Sequence, residues 1–282
     1  MDTPFEQIKK KIIQGGTLPD GLTDDIPRRW EKIGDVLIIK LAPHLQRYRR
    51  EIGRVYAEVL HCKTVLQEKH GISGVYREPH LEIIYGDKNT ETIHMENRIR
   101  YMLDPQKIMF SSGNMDERIR MSRISKNNEI IVDLFAGIGY FTLPLAVYSR
   151  PQHIYACEIN PLAYKYLCKN IVLNDVTTIV EPLLGDNRNV APRNVADRII
   201  MGYIKDTHTF LPTAFNCLKD KGGVIHYHEV LPNELLPDHL KKKLIDIAQK
   251  HNKKIRFLKY RHIKSYSPGV THVVMDLLIK KI

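Results

Sequence analysis

The stretch Val132-Asp133-Leu134-Phe135-Ala136-Gly137-Ile138-Gly139 leads from an apolar strand into a glycine turn that opens a helix. A turn of that kind lets a ligand approach backbone closely at the carboxyl end of a strand, because glycine has no side chain to obstruct it. Further on, Cys157-Glu158-Ile159-Asn160-Pro161 places a carboxylate at the end of a second strand, where it can accept both hydroxyl protons of a ribose. A third strand ends at Gly185-Asp186-Asn187 with an aspartate and an amide. A single glycine turn is an ordinary connection, but matched features at the ends of three successive strands describe an adenosine-binding site. The third glycine of a GxGxxG pattern is replaced by Thr142, which argues against a dinucleotide.

Asp133 ahead of the glycine loop makes this segment resemble the first motif of Rossmann-like S-adenosylmethionine transferases. That likeness implies cofactor contacts from Asp133, Phe135, Ala136, Gly137, Glu158 and Ile159, with Asp186 and Asn187 beside the adenine.

The elements around these residues alternate. Apolar runs at Ile130–Phe135, His153–Glu158, Thr177–Leu184, Arg198–Gly202 and Gly223–Tyr227 are separated by helical stretches near Tyr140–Tyr148, Pro161–Leu173, Thr209–Leu218 and Asn233–His251. Continuous apolar strands separated by helices predict an α/β domain whose mostly parallel sheet is covered on both faces. The last two strands, near Ile255–Arg261 and Val273–Ile279, are joined by a loop too short for a helical crossover, so they should be antiparallel neighbours at one end of the sheet. This domain should occupy 111–282. A small α+β domain is expected over 31–110, with strand-like sequence at 33–39, a helix from about Leu45 to Lys69, and a hairpin in which Leu81–Tyr85 and Thr90–His94 flank Gly86–Asn89. Residues 1–30 read as a short helical start and a loosely held arm.

The chain has 282 residues, room for two domains with cores of their own. Four scattered cysteines without a CxxC pair fit a reducing compartment. Nothing near the start reads as a signal peptide and no apolar run approaches a membrane span, so a soluble cytoplasmic protein is expected, with no membrane partner. Lysine and arginine exceed aspartate and glutamate by 43 to 32, a net charge of +11 that favours a polyanionic partner.

With these residues in view, the chain resembles the tRNA guanine-37 N1-methyltransferases and, more closely, the related tRNA wybutosine-synthesising aminocarboxypropyltransferases of archaea and eukaryotes. The likeness runs from Ile33 onward. It includes Ile33-Gly34-Asp35-Val36, Phe110-Ser111-Ser112-Gly113-Asn114-Met115-Asp116-Glu117-Arg118, Gly222-Gly223-Val224-Ile225-His226-Tyr227 and Ser267-Pro268-Gly269-Val270-Thr271-His272. Two departures separate the sister activities. The methyltransferases carry an Asn-Pro-Pro-like or Asn-Leu-Pro-like turn after the fourth strand, where this chain has Met201-Gly202-Tyr203-Ile204-Lys205, and they typically have Ser-Pro-Arg where this chain has Ser111-Ser112-Gly113-Asn114.

Both departures fit the aminocarboxypropyltransferases. The resemblance therefore implies transfer of the 3-amino-3-carboxypropyl group of S-adenosylmethionine to the tricyclic wybutosine precursor at position 37 of phenylalanine tRNA, in the anticodon loop, with release of methylthioadenosine. It also implies cofactor contacts from Ser111 and from Arg118, whose guanidinium suits the methionine carboxylate. Asn114, Tyr203 and His208 are the candidates for contact with the base. No metal is expected, a monomer is favoured, and no general base is evident. His226 and His228 alternate on a strand, an arrangement that suits a packed or hydrogen-bonded pair better than a metal site. The basic segment 241–264 is compatible with an RNA-facing patch or a solvated face. The competing readings are an N1-methyltransferase and a non-catalytic tRNA-binding protein.

Overall fold

The computed structural model describes residues 2–19 and 21–282. It divides into two compact units, Met1–Ser112 and Gly113–Ile282.

In the first unit, α1 (Pro4–Gln14) starts at a capping box, with Thr3 Oγ1 accepting the Glu6 N–H at 3.3 Å and the Glu6 carboxylate accepting the Thr3 N–H at 2.6 Å. Its apolar side buries Ile8 and Ile12, one helical turn apart, in a core shared with Leu18, Ile26, Leu37, Ile52, Val55 and Tyr56. Tyr56 also donates its hydroxyl proton to the Pro27 carbonyl. The short helical start expected in 1–30 forms as α1, while the segment after it, expected as a loosely held arm, contributes Leu18 and Ile26 to the same core.

The apolar run at 33–39 is two strands, β1 (Trp30–Ile33) and β2 (Val36–Ile39), paired antiparallel around Gly34-Asp35, with Gly34 at φ +58°. A 3₁₀ turn at Pro43–Tyr48 leads into α2 (Arg49–Leu60). The helix stops at His61, which takes a left-handed φ of 51° while Cys62 N–H closes the end on Ala57 O at 2.9 Å. Thr64–Gln67, expected as helix, instead begin β3 (Thr64–Ser73), which lies parallel to β2 with α2 as the crossover. Thr64 and Val65 are β-branched and suit that strand better than a helix.

The hairpin expected around Gly86–Asn89 does not form. β4 (Glu78–Gly86) pairs with β3, while β5 (Thr92–Glu96) pairs with β6 (Ile99–Leu103) in a separate sheet. Between β4 and β5, Asp87 and Asn89 side chains accept the N–H groups of Asn89 and Glu91, turning the chain out of register. The tight hairpin lies one strand later, at Asn97-Arg98, both with positive φ.

The second unit opens with α3 (Met115–Met121) and then alternates: β7 (Ile130–Asp133), α4 (Thr142–Pro144) continuing as a π turn, β8 (His153–Glu158), α5 (Pro161–Leu173), β9 (Val180–Leu184), α6 (Asn187–Val190), β10 (Arg198–Met201), α7 (Leu211–Cys217), β11 (Gly223–Pro232), α8 (Asp238–Lys250), β12 (Lys253–Ser267) and β13 (Val270–Lys281). Its seven strands lie in the order β12-β13-β11-β10-β7-β8-β9. β7 to β11 are parallel, and β13 runs antiparallel to both β11 and β12. This is the mostly parallel, doubly wound sheet expected of a Rossmann-like transferase, closed by an antiparallel pair. Strand order reverses between β7 and β10, so the crevice at the carboxyl ends of β7, β8 and β10 is where such a sheet takes a ligand.

Because Ile8 is fully buried, Ile8→Ala should cost about 2–5 kcal/mol of stability. Urea unfolding midpoints check this, and an unchanged midpoint would mean that the first helix is not part of the cooperative core.

Candidate active site

The β7–α4 turn is held from inside. Asp133 is fully buried, and its carboxylate accepts the Thr142 hydroxyl at 2.8 Å and the Phe135 N–H at 3.1 Å. Thr142 thus has a use at the position where a third glycine would stand. Burial pushes the Asp133 carboxyl up to about 7, with nearby Glu158 adding to the rise and the two hydrogen bonds opposing it. Asp133 braces the loop and has no surface to offer a ligand. Ala136 N–H bonds Cys157 O at 2.9 Å, tying the turn to β8. Gly137 has φ +58°, and a Cβ there would meet the Tyr140 ring at 2.4 Å, so the turn admits no side chain.

Glu158, at the end of β8, accepts the N–H groups of Gly137 and Asn160, each at 2.7 Å. Burial raises its carboxyl, and backbone donors from Asn160, Gly137 and Ile159 oppose that rise by stabilising the charge. Ile159 and, opposite Glu158 in the β8–β9 ladder, Leu184 are exposed apolar side chains, 38% and 48% accessible. Asp186 caps α6 by accepting the Arg188 N–H at 2.9 Å, and its hydrogen bonds to the Arg188 guanidinium hold its carboxyl below the usual range. Asn187 donates to Leu134 O at 2.9 Å, while its Oδ1 is buried without a hydrogen-bond partner. A carboxylate with spare lone pairs, a buried acceptor lacking a donor and two exposed apolar side chains fit the diol, amine and faces of an adenosyl group.

Beyond the loop, Tyr203 stacks on Phe135 with centroids 4.9 Å apart and planes 15° from parallel. Phe210 meets both rings edge-on, at 5.0 Å from Phe135 and 5.9 Å from Tyr203. Neither Phe210 nor Glu229 was visible as a site residue from sequence. Glu229, buried on β11, accepts the Lys205 N–H at 3.1 Å and the Tyr227 hydroxyl at 2.7 Å. It fastens Lys205-Asp206, two successive residues at φ 73° and 55°. His208 is not part of the stack; its ring nitrogen lies 3.2 Å from Lys243 Nζ on α8. Asn114, just before α3, makes no side-chain cap bond and has Oδ1 buried without a partner. Arg118 is buried within α3. Ser111, half-buried, belongs to the first unit.

α3 is anchored by a buried ionic chain. Glu117 binds Arg120 at 2.8 Å, Arg120 binds Asp276 at 3.0 Å, Asp276 binds His226 Nδ1 at 2.6 Å, and His226 Nε2 meets Arg198 at 2.7 Å. Arg198 closes the chain on Glu129 at 2.8 Å. Arginine can only donate, so His226 Nε2 accepts and Nδ1 donates to Asp276, which makes the ring neutral. Burial holds His226 down to about 4 and His272 likewise to about 4, and lowers His228, which bonds His272 at 3.1 Å. Both nitrogens of His226 are therefore engaged in the protein's own hydrogen bonds.

A family profile described as the TRM5/TYW2 methyltransferase domain matches residues 92–256, and one described as the TYW2 N-terminal domain matches residues 10–90. The tRNA(Phe) (4-demethylwyosine(37)-C(7)) aminocarboxypropyltransferase of Pyrococcus horikoshii is 44% identical over 276 residues, covering 97% of this chain and 98% of its own. The protein of the same name from Methanocaldococcus jannaschii is 46% identical over 254 residues, covering 90% and 99%. The crystal structure of P. horikoshii TYW2 in complex with MeSAdo matches with a TM-score of 0.89 at 41% identity, over 99% of this chain and 100% of the other.

Between pH 6.5 and 4 the unfolded chain takes up protons at His226 and His272 that the folded protein refuses, so these residues make stability fall as pH falls. Asp133 has the opposite sign: the fold keeps its proton up to about 7, so its contribution weakens stability as pH rises from 3.8. His272→Gln should flatten the acid-side loss by up to about 1.4 kcal/mol per pH unit. Urea midpoints at pH 4.5–7 measure the slope, and an unaltered slope contradicts the neutral-histidine assignment.

Proposed function

The chain belongs to the TRM5/TYW2 family, and from that premise we propose that it transfers the 3-amino-3-carboxypropyl group of S-adenosylmethionine to the tricyclic base at position 37 in the anticodon loop of phenylalanine tRNA. The observation that carries this choice of group is the segment after β10. Where the sister methyltransferases have an amide-bearing proline turn, this chain has Tyr203 stacked on Phe135, with Glu229 holding the loop behind it. A broad aromatic surface suits a planar tricyclic acceptor splayed from a single-stranded loop. The relatives named for the same reaction match this chain along nearly its whole length, which supports the same reading.

Each residue has a part. Glu158 takes the ribose hydroxyls, Ile159 and Leu184 flank the adenine, and Asn187 Oδ1 accepts a hydrogen bond from the adenine amine. Gly137 and Ala136 leave backbone open to the ligand, while Asp133 and Thr142 keep that backbone in place. Asp186 sets the start of α6 beside them. Arg118 addresses the methionine carboxylate, which places the longer arm near α3. Phe135 and Tyr203 hold the base, with Asn114 as a further polar contact. S-adenosylmethionine supplies a sulfonium whose bond to the γ-carbon breaks with its electron pair passing to sulfur, so that the acceptor carbon is alkylated, its proton goes to water and methylthioadenosine leaves. Regiochemistry then depends on which carbon is held about 3–3.5 Å from the acceptor, in line with the breaking bond. A cytoplasmic location and a monomeric state belong to the same proposal, as suits an enzyme acting on tRNA. Among the described residues no helix is long and apolar enough to cross a membrane.

Incubating tRNA(Phe) bearing the wyosine-type precursor with cofactor labelled separately on the methyl and the carboxyl carbon tests the reaction. Carboxyl label in the tRNA with release of methylthioadenosine is expected, whereas methyl label in the tRNA would reject the assignment. Glu158→Ala should weaken cofactor binding about 100-fold or more, since two hydrogen bonds to a charged group are lost. Calorimetry reads this, and near-parental affinity would remove Glu158 from the ribose site.

A further inference from the structure

β12 is the edge strand of the second unit's sheet, and its pairing with β13 slips between Phe257 and Lys259 and again between His262 and Lys264. Of the six Lys and Arg on β12, Lys253 lies on the other face, and the remaining five, Lys254, Arg256, Lys259, Arg261 and Lys264, do not alternate regularly, so in a flat strand Lys259 and Arg261 would face away from Lys254 and Arg256. The two shifts change that. The five basic residues lie opposite Lys280, Leu278, Asp276, Val274 and His272 of β13, positions two apart on one strand and therefore on one face. Each shift inserts one residue, Leu258 and then Ile263, and resets the phase so that the basic residues stay together. The opposite face turns Ile255 and Phe257 into the core under α8. The basic face is the one bearing Asp276, to which Arg120 of α3 is bonded.

Lys254, Arg256 and Lys259 are exposed, and none of them, nor Arg261, has an acidic partner among the described residues. Arg261 Nε is buried without a hydrogen-bond partner. Lysines on an edge strand also serve to prevent sheet-to-sheet aggregation, but that use requires no common face. Two phase resets that keep five cations on one side favour a linear polyanion. Side chains on one face of a strand are about 6.7 Å apart, so the five span roughly 27 Å.

We propose that this stripe is a track for the phosphodiester backbone of the RNA substrate, with Lys254, Arg256, Lys259 and Arg261 contacting successive phosphates. It rests on the tRNA reading above and adds the surface that positions the RNA. The test compares tRNA(Phe) binding across a salt series for the parent, for K254A/R256A/K259A, and for K241A/K242A/K250A, which removes equal charge from α8. Loss of three phosphate contacts should reduce the slope of log affinity against log salt by about 2–3 and weaken binding by about 10- to 100-fold at low salt. The α8 variant should keep the parental slope, and cofactor affinity should be the same in all three. Equal losses in both variants, or none in the strand variant, would overturn the stripe while leaving the reaction standing. A parent that binds cofactor but no tRNA would sink the functional reading, and the stripe with it.

Discussion

The Glu158 carboxylate, half-buried at the end of β8 and bonded to the backbone of Gly137 and Asn160, is the constraint from which the rest of the site follows. A carboxylate in that position is costly unless donors surround it, and backbone N–H groups are the donors that cannot swing away. Meeting that need forces the β7–α4 turn to come within 2.7 Å of the end of β8, which only a left-handed glycine can do beside Tyr140. The same turn needs a support on its inner side, and Asp133 with Thr142 provides it. Two acids with raised pKa values thus lie on either side of one loop, the inner one bonded to Thr142 and Phe135 and the outer one to Gly137 and Asn160.

A second constraint organises the acceptor side. Glu229 receives its bonds from Tyr227 on its own strand and from Lys205 in the loop after β10. By fixing Lys205 it fixes Tyr203, and so the ring that stacks on Phe135. Phe135 belongs to the glycine loop, so that loop and the loop after β10 share one aromatic contact, and a change in either reaches the other through packing. The ionic chain from Glu117 to Arg198 plays the corresponding part for α3, because removing Arg120 would leave the buried Glu117 and Asp276 carboxylates without their cation.

Much of the second unit was legible in the sequence because its strands are continuous apolar runs and its helices begin at clear signals. Pro161 after Asn160 is one such signal, and the Asn160 side chain does cap α5. The first unit was less legible. Its helix α2 and strand β3 are separated only by His61, Cys62 and Lys63, and Leu66 falls at helical spacing from Val59 even though it lies in a strand. Gly86–Asn89 has the composition of a hairpin loop, yet the strands on either side of it enter different sheets, a choice made by pairing partners far away in sequence. Within the candidate site, the glycine motif and the strand ends single out candidates by their position in the sequence alone. Phe210 and Glu229 are not singled out, since a phenylalanine near a helix and a glutamate on a strand have no distinguishing spacing. The strand-phase resets in β12 were equally hidden, because a bulge is set by which residues the partner strand offers.

The central claim is geometric: the pocket presents the γ-carbon of the methionine arm, not the methyl carbon, to the acceptor. A crystal structure of this protein with S-adenosylmethionine bound tests it most directly. The account predicts the methionine carboxylate at Arg118 and the γ-carbon facing the Phe135–Tyr203 stack; a methyl carbon facing that stack, with the amino-acid arm turned away, would contradict it.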